Sequence, residues 1–472
     1  MVRVLSDIRY PDPLKPWATQ KPTPYIASGI VIEGKRILCS AHALLYADKP
    51  VQVQASDAGA KIPASILAIA PGIDLALLKL NDDSWFASRP PLPRDATLPA
   101  RGDEVLEFGY PPGGDQVSAA KGVIPDPGIE FAPYNYPVSG LRLQVNFSTN
   151  PNNSGGPVML NNKMIALAFS YRGGPDNIGY AIPCEEIDLF LKEVENGRLD
   201  SKPVMFDEIQ TLDNAALRAF LKLSDLAQGV VVHKPGSADP AYPLKEWDVI
   251  TRIGDAPIDR HGMIGLRNNL SVRFQYLLQN IARDGKAPLT IVRDTKELHV
   301  ELPVNARHPM VIPDLQGADP AYFVWGPVVF SSASLQFIAS LNRGSAGASI
   351  MSILSASGSP LVKRLGDIQA FEGEDLVVVP EFFTHALSDG YSDPRFQVVK
   401  SVNGVAIKSL KHLVQLLRDS KDEFITIAFD SRHSETLVFR RADAVKSTAE
   451  ILQKNQVTAQ GSPELMALWN SK

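Results

Sequence analysis

The chain has 472 residues, of which 44% are hydrophobic and 21% charged, values typical of a globular protein with roughly three domains. Its net charge of −5, and the lack of any run of Lys and Arg interleaved with aromatic residues, argue against a nucleic-acid partner. No segment approaches the ~20 consecutive apolar residues of a membrane-spanning helix, so we expect no membrane insertion.

The N-terminal residues and the two cysteines bear on the cellular compartment. Residues 1–7 lack the apolar segment of a secretory signal, which predicts a cytoplasmic protein. A periplasmic or secreted location would follow if a signal preceded Met1 in a longer precursor. Cys39 and Cys184 are too few for a disulfide framework, and each lies among apolar residues, so we expect two buried, unpaired thiols.

The first 197 residues indicate a β-rich domain. Residues 1–24 are rich in proline and are expected to form an N-terminal extension. Residues 25–197 contain short apolar runs, such as Leu75–Leu80, separated by turns rich in Gly, Pro, Asn and Asp, which predicts a barrel or sandwich. Helical spacing over Glu185–Glu195, followed by Gly197, predicts a helix that closes this domain.

Beyond a linker at 198–205, helix and strand patterns are mixed. Residues 206–304 contain an apolar strand after Gly229, a turn, and a predicted buried strand over Leu244–Ile253. This order is typical of a compact α+β module.

A similar order returns over 321–440, where a predicted helix at Leu410–Leu417 precedes a strand at Phe424–Phe429. We interpret this region as a second, degenerate copy of the module, connected to the first by 305–320. Residues 441–472 are expected to form a polar, partly helical tail.

Ser154 lies in a run of turn-forming residues, Asn150–Pro157, placed between two apolar strands. Such a loop presents a serine at a tight bend, and Gly155 and Gly156 leave room for a substrate. Successive backbone N–H groups at 152–154 could converge on one oxygen, which is the geometry of an oxyanion hole.

A serine nucleophile needs a histidine to accept its proton and a carboxylate to orient that histidine. The chain has eight histidines, and His42 is the only one before residue 230. Asp74 begins the apolar strand Asp74–Leu80, a setting for a buried carboxylate that exposed loop acids lack. The order His, Asp, Ser is that of chymotrypsin.

The segments that carry these residues resemble, in order, the successive motifs of HtrA/Deg serine proteases: Ser28–Ile32, Ile37–His42, Asp74–Lys79, Asn153–Pro157 and Asn177–Pro183. Gly229–Ile253 and Ala321–Phe439 in turn resemble two PDZ domains. The combination is most similar to the plant nuclear-type Deg branch and its bacterial relatives, and the resemblance covers nearly the whole chain.

The resemblance implies a mainly β fold, in which a chymotrypsin-like double β-barrel protease domain (25–197) precedes two α+β PDZ-like domains (206–304 and 321–440). It implies ATP-independent endoproteolysis of unfolded or misfolded polypeptides, without a cofactor, and self-association as a trimer or hexamer. A metal is not expected either, because no cluster of His, Cys, Asp and Glu has metal-ligand spacing.

The same resemblance assigns roles to individual residues by position. His42 is the general base, Asp74 its orienting partner and Ser154 the nucleophile that forms the acyl-enzyme. The remaining positions are the oxyanion-hole backbone N–H groups of Asn152, Asn153 and Ser154, and a strand beside the substrate cleft formed by Ala168, Phe169, Ser170 and Tyr171.

Two departures from the family pattern leave a second function open. Asn152 stands where the family usually has Gly, although Asn tolerates positive φ better than other residues. Phe206 and Asp207 stand in the expected carboxylate-binding loop of the first module and would hinder a peptide end. The alternative is a weakly active or inactive scaffold that binds peptides through its PDZ domains.

The second module keeps a glycine in the corresponding loop, so a peptide is expected to bind there rather than in the first module. The residues predicted to contact it are Trp325, Gly326, Val328 and Phe330.

Overall fold

The structure is a computed structural model that describes all residues except 19, 56–58, 111–115, 127, 136–137, 148–153, 173–177, 198, 200–201, 267–269, 305–308, 343–344, 433 and 472. The chain forms two compact units, one of residues 1–8 and 24–307, the other of residues 9–23 and 308–472. Among the described residues, no helix has the length and apolar character needed to span a membrane.

Six strands form a closed barrel at the start of the first unit, in the order β1-β2-β3-β6-β5-β4. They are β1 (Val2–Ile8), β2 (Thr23–Ile32), β3 (Arg36–Ser40), β4 (Gln52–Ala55), β5 (Ile62–Ala70) and β6 (Leu75–Leu80).

Strand β1 corrects the expectation that residues 1–24 lie outside the protease domain. Its residues alternate between buried and half-buried, with Val2 and Val4 fully buried, and it pairs antiparallel with β4 from Val2 opposite Ala55. This alternation of period two is the signal of a strand with one face in a core, and β1 closes the barrel. The following proline-rich segment belongs to the second unit, where the Trp17 ring lies 5.4 Å from that of Phe383.

A second sheet of seven strands follows, in the order β13-β12-β11-β7-β8-β10-β9, and a further pairing between β10 and β13 closes it into a second barrel. The strands are β7 (Glu104–Gly109), β8 (Ser118–Val123), β9 (Ile129–Asn135), β10 (Val138–Phe147), β11 (Pro157–Leu160), β12 (Lys163–Arg172) and β13 (Ile178–Pro183).

Helix α1 (Cys184–Glu195) confirms the predicted helix and closes the double barrel. Its residues Ile187 and Phe190 are buried in a hydrophobic cluster that joins the barrels, since Ile30 and Leu38 of the first barrel lie in the same cluster as Leu167 of the second. Cys39 and Cys184 are free and buried, as expected. Burial raises the pKa of the Cys184 thiol to about 12, so it stays protonated.

The rest of the first unit is an α+β module built on one main sheet, in which β14, β15, β16, β20 and β21 are adjacent in that order. Its elements are β14 (Glu208–Thr211), α2 (Ala215–Phe220), β15 (Val230–Lys234), β16 (Val249–Ile253), β17 (Ala256–Pro257), β18 (Met263–Gly265), β19 (Ser271–Arg273), α3 (Leu278–Ile281), β20 (Lys286–Arg293) and β21 (Lys296–Pro303).

The strand predicted over Leu244–Ile253 is shorter than expected and begins at Val249. The buried carboxylate of Asp248 accepts hydrogen bonds from the Lys245 backbone N–H at 2.7 Å and from the Arg293 guanidinium at 2.6 Å. These bonds stabilise a tight turn immediately before the strand, with Trp247 at φ 73°.

The second unit contains a sheet of β22-β23-β24 and a sheet of β26-β25-β27-β28. Its elements are β22 (Tyr322–Trp325), β23 (Val328–Ser332), α4 (Leu335–Leu341), α5 (Ser345–Ala356), α6 (Pro360–Lys363), β24 (Val377–Val378), β25 (Val399–Val402), β26 (Val405–Ala406), α7 (Leu410–Asp419), β27 (Phe424–Phe429), β28 (Leu437–Arg440), α8 (Arg441–Lys454) and α9 (Pro463–Asn470). Helix α7 and strand β27 confirm the predicted helix and strand.

The C-terminal segment is helical, as predicted, but it is not a separate tail. In α8, Ala444 is fully buried and the Thr448 hydroxyl accepts the Gly326 N–H at 2.9 Å. In α9, Leu465 is 1% exposed and belongs to the main hydrophobic cluster of this unit. The predicted boundary at 440 is therefore corrected, because the last two helices complete the core.

Candidate active site

Asp74 occupies an unusual backbone conformation at the start of β6. The 3-10 turn Pro71–Ile73 ends on it, and its φ of 54° and ψ of 37° are left-handed, a conformation that aspartate adopts more readily than most residues. Its N–H donates to the Pro71 carbonyl at 3.2 Å, and its own carbonyl accepts the Ala41 N–H at 3.1 Å. These bonds hold the Asp74 backbone against the turn that carries His42.

The Asp74 carboxylate holds His42 through two hydrogen bonds. Oδ1 accepts the His42 backbone N–H at 2.7 Å, and Oδ2 lies 2.7 Å from Nδ1 of the imidazole. The Asp74 side chain is 2% exposed, whereas that of His42 is 33% exposed. A buried carboxylate bonded to Nδ1 leaves Nε2 as the ring nitrogen that can exchange a proton with a reacting group.

Three effects set the protonation of His42. Burial lowers the pKa of the imidazole, whereas the hydrogen bond from Nδ1 and the negative charge of Asp74 raise it. The pKa lies above the ordinary value of 6.5, because the two contributions of Asp74 outweigh burial. The carboxylate therefore favours the imidazolium that forms when His42 accepts a proton.

The turn after Ser154 lies against both barrels. The Ser154 carbonyl accepts the Ser28 N–H at 2.9 Å, the Gly155 N–H donates to the Ala168 carbonyl at 2.9 Å, and the Ala168 N–H donates to the Gly156 carbonyl at 2.8 Å. Gly155 has φ 81°, and a Cβ built on it would lie only 2.1 Å from the Ser28 carbonyl oxygen. Glycine is required here because the backbones are too close for a side chain.

The same hypothetical Cβ of Gly155 would lie 3.4 Å from the backbone nitrogen of Ser40, two residues before His42. The turn that carries Ser154 thus lies close to the end of β3, and β3 leads directly into the 3-10 turn Ala41–Ala43. Asn152 and Asn153, the other predicted oxyanion-hole residues, lie outside the described residues.

The four predicted cleft residues have different surroundings. The backbone of Ala168 is bonded to the turn after Ser154, which places this residue beside the candidate nucleophile. The Phe169 ring packs edge-on against that of Tyr134, with centroids 5.2 Å apart, at a register shift between Ala168 and Ser170. Ser170 is exposed, and the side chain of Tyr171 lies outside the described residues.

The peptide site predicted in the second unit is corrected by the structure. Trp325, Val328 and Phe330 are all 0% exposed and belong to the main hydrophobic cluster of this unit, and the Gly326 N–H is bonded to Thr448. These side chains cannot contact a peptide because they form the core beneath α8. The sequence offered no local signal for this, since the covering helix is more than a hundred residues away.

In the first α+β module, the loop expected to bind a peptide carboxylate contains the acidic residue Asp207. The Asp207 carboxylate is 8% exposed and accepts the Gly236 N–H at 2.8 Å and the Tyr242 hydroxyl at 2.9 Å. Burial raises the pKa of Asp207, and the two hydrogen bonds only partly offset it. The carboxylate is thus bonded within its own module, and the hindrance of a peptide end by Asp207 stays a prediction.

Comparison with known proteins matches both units to characterised families. The trypsin-like peptidase domain family matches residues 27–167, and the PDZ domain family matches residues 311–464. The second match includes α8, which agrees with the place of that helix in the core.

Relatives match this chain over nearly its whole length. The putative protease Do-like 3, mitochondrial, of Arabidopsis thaliana is 29% identical, over 100% of this chain and 81% of its own. The protease Do-like 2, chloroplastic, of the same plant is 28% identical, over 99% and 75% respectively. Among solved structures, an HtrA-type protease AlgW with tripeptide is 20% identical with a TM-score of 0.49, over 65% of this chain and 94% of its own.

The double β-barrel, the contact of His42 with a buried aspartate and the matched domains agree with one another. They favour an enzyme over a scaffold that has lost its protease activity. The chain is a serine endopeptidase that combines a trypsin-like peptidase domain with a PDZ domain, and it resembles the HtrA/Deg proteases over nearly its whole length.

Proposed function

We propose that His42, Asp74 and Ser154 are the catalytic triad and that the protein cleaves unfolded or misfolded polypeptides without ATP. The observation that carries the proposal is the pair of 2.7 Å contacts from the buried Asp74 carboxylate to the backbone and imidazole of His42. The contacts of Gly155 with Ser28 and Ser40 support Ser154 as the third member, because they fix its turn beside the strand that leads to His42.

In the proposed reaction, the Ser154 hydroxyl attacks the carbonyl carbon of the scissile peptide bond while Nε2 of His42 takes its proton. The tetrahedral intermediate collapses as His42 gives that proton to the leaving amine, which departs with the C-terminal fragment. Water then attacks the acyl-enzyme, with His42 again accepting a proton and returning it to Ser154. The Asp74 carboxylate stabilises each imidazolium through its hydrogen bond with Nδ1.

The backbone N–H of Ser154, with those of Asn152 and Asn153, would stabilise the oxyanion. Removing one such donor from a serine protease typically costs roughly 100- to 1,000-fold in rate. Self-association as a trimer or hexamer is part of the proposal and rests on family membership, so light scattering of the purified protein tests it separately.

The proposal is tested by covalent labelling with a fluorophosphonate and by cleavage of unfolded casein in the absence of ATP. The wild type should do both, and mass spectrometry should locate the label on Ser154. Ser154→Ala should abolish both activities. Ser65→Ala is the matched control, because Ser65 is an exposed serine of the same domain, on β5, and should leave both rates unchanged. A wild type that neither labels nor cleaves, even after addition of peptide and heating, would refute the proposal.

A further inference from the structure

The imidazole of His42 contacts a second side chain besides Asp74. The ring of Tyr25, near the start of β2, lies edge-on to it, with ring centroids 6.1 Å apart and planes at 87°. This separation lies within the range of roughly 4.5–7 Å over which aromatic rings attract in an edge-to-face arrangement. No sequence motif identified Tyr25, because the contact depends on how β2 and the turn after β3 meet.

The turn that carries His42 is short, and the side chain of this residue is partly exposed. His42 lies in a single 3-10 turn whose N-cap residue, Ser40, makes no side-chain capping bond, and a third of its side chain is exposed. The hydrogen bond from Nδ1 to Asp74 restrains one atom of the ring, so a second contact on the ring would further limit its rotation.

The strand that carries Tyr25 also contacts the candidate nucleophile. Ser28 lies three residues further along β2, and its N–H donates to the Ser154 carbonyl at 2.9 Å. The His42 ring and the Ser154 turn therefore contact the same short segment, 25–28, one through a side chain and the other through the backbone.

We propose that Tyr25 is a positioning residue, whose ring holds the His42 imidazole with Nδ1 on Asp74 and Nε2 facing the nucleophile. The proposal rests on the proposed function, since it concerns the base of the same reaction. Tyr25 does not exchange a proton or touch the reacting atoms. Its contribution is the orientation of the base before the substrate arrives.

The competing explanation is that Tyr25 only packs against the core of the first barrel. Trp85 offers a matched control, because both residues are partly buried aromatics that pack against the same hydrophobic cluster, and Trp85 contacts Phe86 and Arg89. We therefore compare Tyr25→Ala, Tyr25→Phe and Trp85→Ala, each in the full chain and each checked for its free energy of unfolding.

Tyr25→Ala should slow fluorophosphonate labelling and kcat by roughly two- to twelvefold, with KM little changed. This factor corresponds to the stabilisation that an edge-to-face pair of rings provides in addition to the effect of its buried area. Tyr25→Phe keeps the ring and should stay within about twofold of the wild type, as should Trp85→Ala. The proposal is overturned if Tyr25→Ala labels at the wild-type rate, or if Trp85→Ala slows labelling equally.

A second measurement does not depend on catalysis. The proton on Nδ1 of His42, shared with Asp74, should give a low-field NMR resonance in the wild type, in Tyr25→Phe and in Trp85→Ala. In Tyr25→Ala this resonance should broaden, because a mobile ring exchanges its proton with water faster. An unchanged resonance in Tyr25→Ala overturns the positioning role, whereas a wild type that shows the resonance but never labels refutes only the proposed function.

Discussion

The substitution Gly155→Ala tests whether close backbone packing fixes the position of the turn that carries Ser154. In Gly155→Ala the new Cβ would lie 2.1 Å from the Ser28 carbonyl oxygen, and the turn must move by more than ~1 Å to reach an ordinary contact distance. The left-handed φ of 81° adds a cost of about 1–2 kcal/mol for any residue with a Cβ. The movement also strains the hydrogen bonds of Ser154 with Ser28 and of Gly155 with Ala168.

A displacement of ~1 Å at a reacting group can cost on the order of 100-fold in rate, so Gly155→Ala should lower kcat/KM by about that factor. Gly102→Ala is the control, because Gly102 has φ 85° and no atom within 4 Å of its hypothetical Cβ. It carries the backbone cost of about 1–2 kcal/mol without the clash. Labelling rates and urea unfolding of both variants separate the two effects. Equal labelling rates in Gly155→Ala and Gly102→Ala would refute the reasoning.

Two further predictions concern protonation. Because His42 must be neutral to accept a proton and its pKa is raised above 6.5, the acidic limb of the kcat/KM profile should lie above pH 6.5. Asp74→Asn removes both contributions that raise the pKa of His42, so the acidic limb of the profile should shift to lower pH and kcat should fall by roughly 10,000-fold. An acidic limb that does not move contradicts the assignment of Asp74 as the partner of His42. In the second unit, burial raises the pKa of Asp375 to about 6, so its contribution to stability is complete below pH 3.8 and is lost as pH rises through 6. Asp375→Asn retains hydrogen-bond partners for Ser332 and Leu410. It should raise the free energy of unfolding by about 1 kcal/mol at pH 8 and leave it unchanged at pH 3.5. An equal gain in stability at both pH values contradicts the raised pKa of Asp375.

The sequence predicted those features that depend on local pattern. The period of apolar residues identified α1 and α7, and the short runs between turns predicted the barrels. The apolar strand that follows Asp74 predicts a buried carboxylate, and the structure shows that Asp74 is buried and bonded to His42. These signals are readable because each lies within about ten residues and reports which face of a strand or helix is buried.

The features that the sequence did not predict depend on contacts between distant segments. The Tyr25 ring lies against His42 because of how β2 and the turn after β3 meet, not because of any residue pattern. Trp325 was expected to bind peptide because its loop resembles a binding loop, yet α8 covers it. The sequence does not reveal β1 as a barrel strand, because its partner β4 lies some fifty residues along the chain.

The three proposed triad positions are far apart in the chain, and they are related through the strand pairing of the first barrel and through one hydrogen bond to β2. Within the first barrel, β2 pairs with β3, and β3 pairs with β6, which places His42 at the end of one strand and Asp74 at the start of its neighbour. The second barrel contributes the turn at Ser154, which is bonded to Ser28 of β2. The base and its carboxylate are therefore fixed by pairing within one barrel, whereas the nucleophile depends on the packing of two. A change that loosens the contact between the barrels should thus displace Ser154 from His42 before it separates His42 from Asp74.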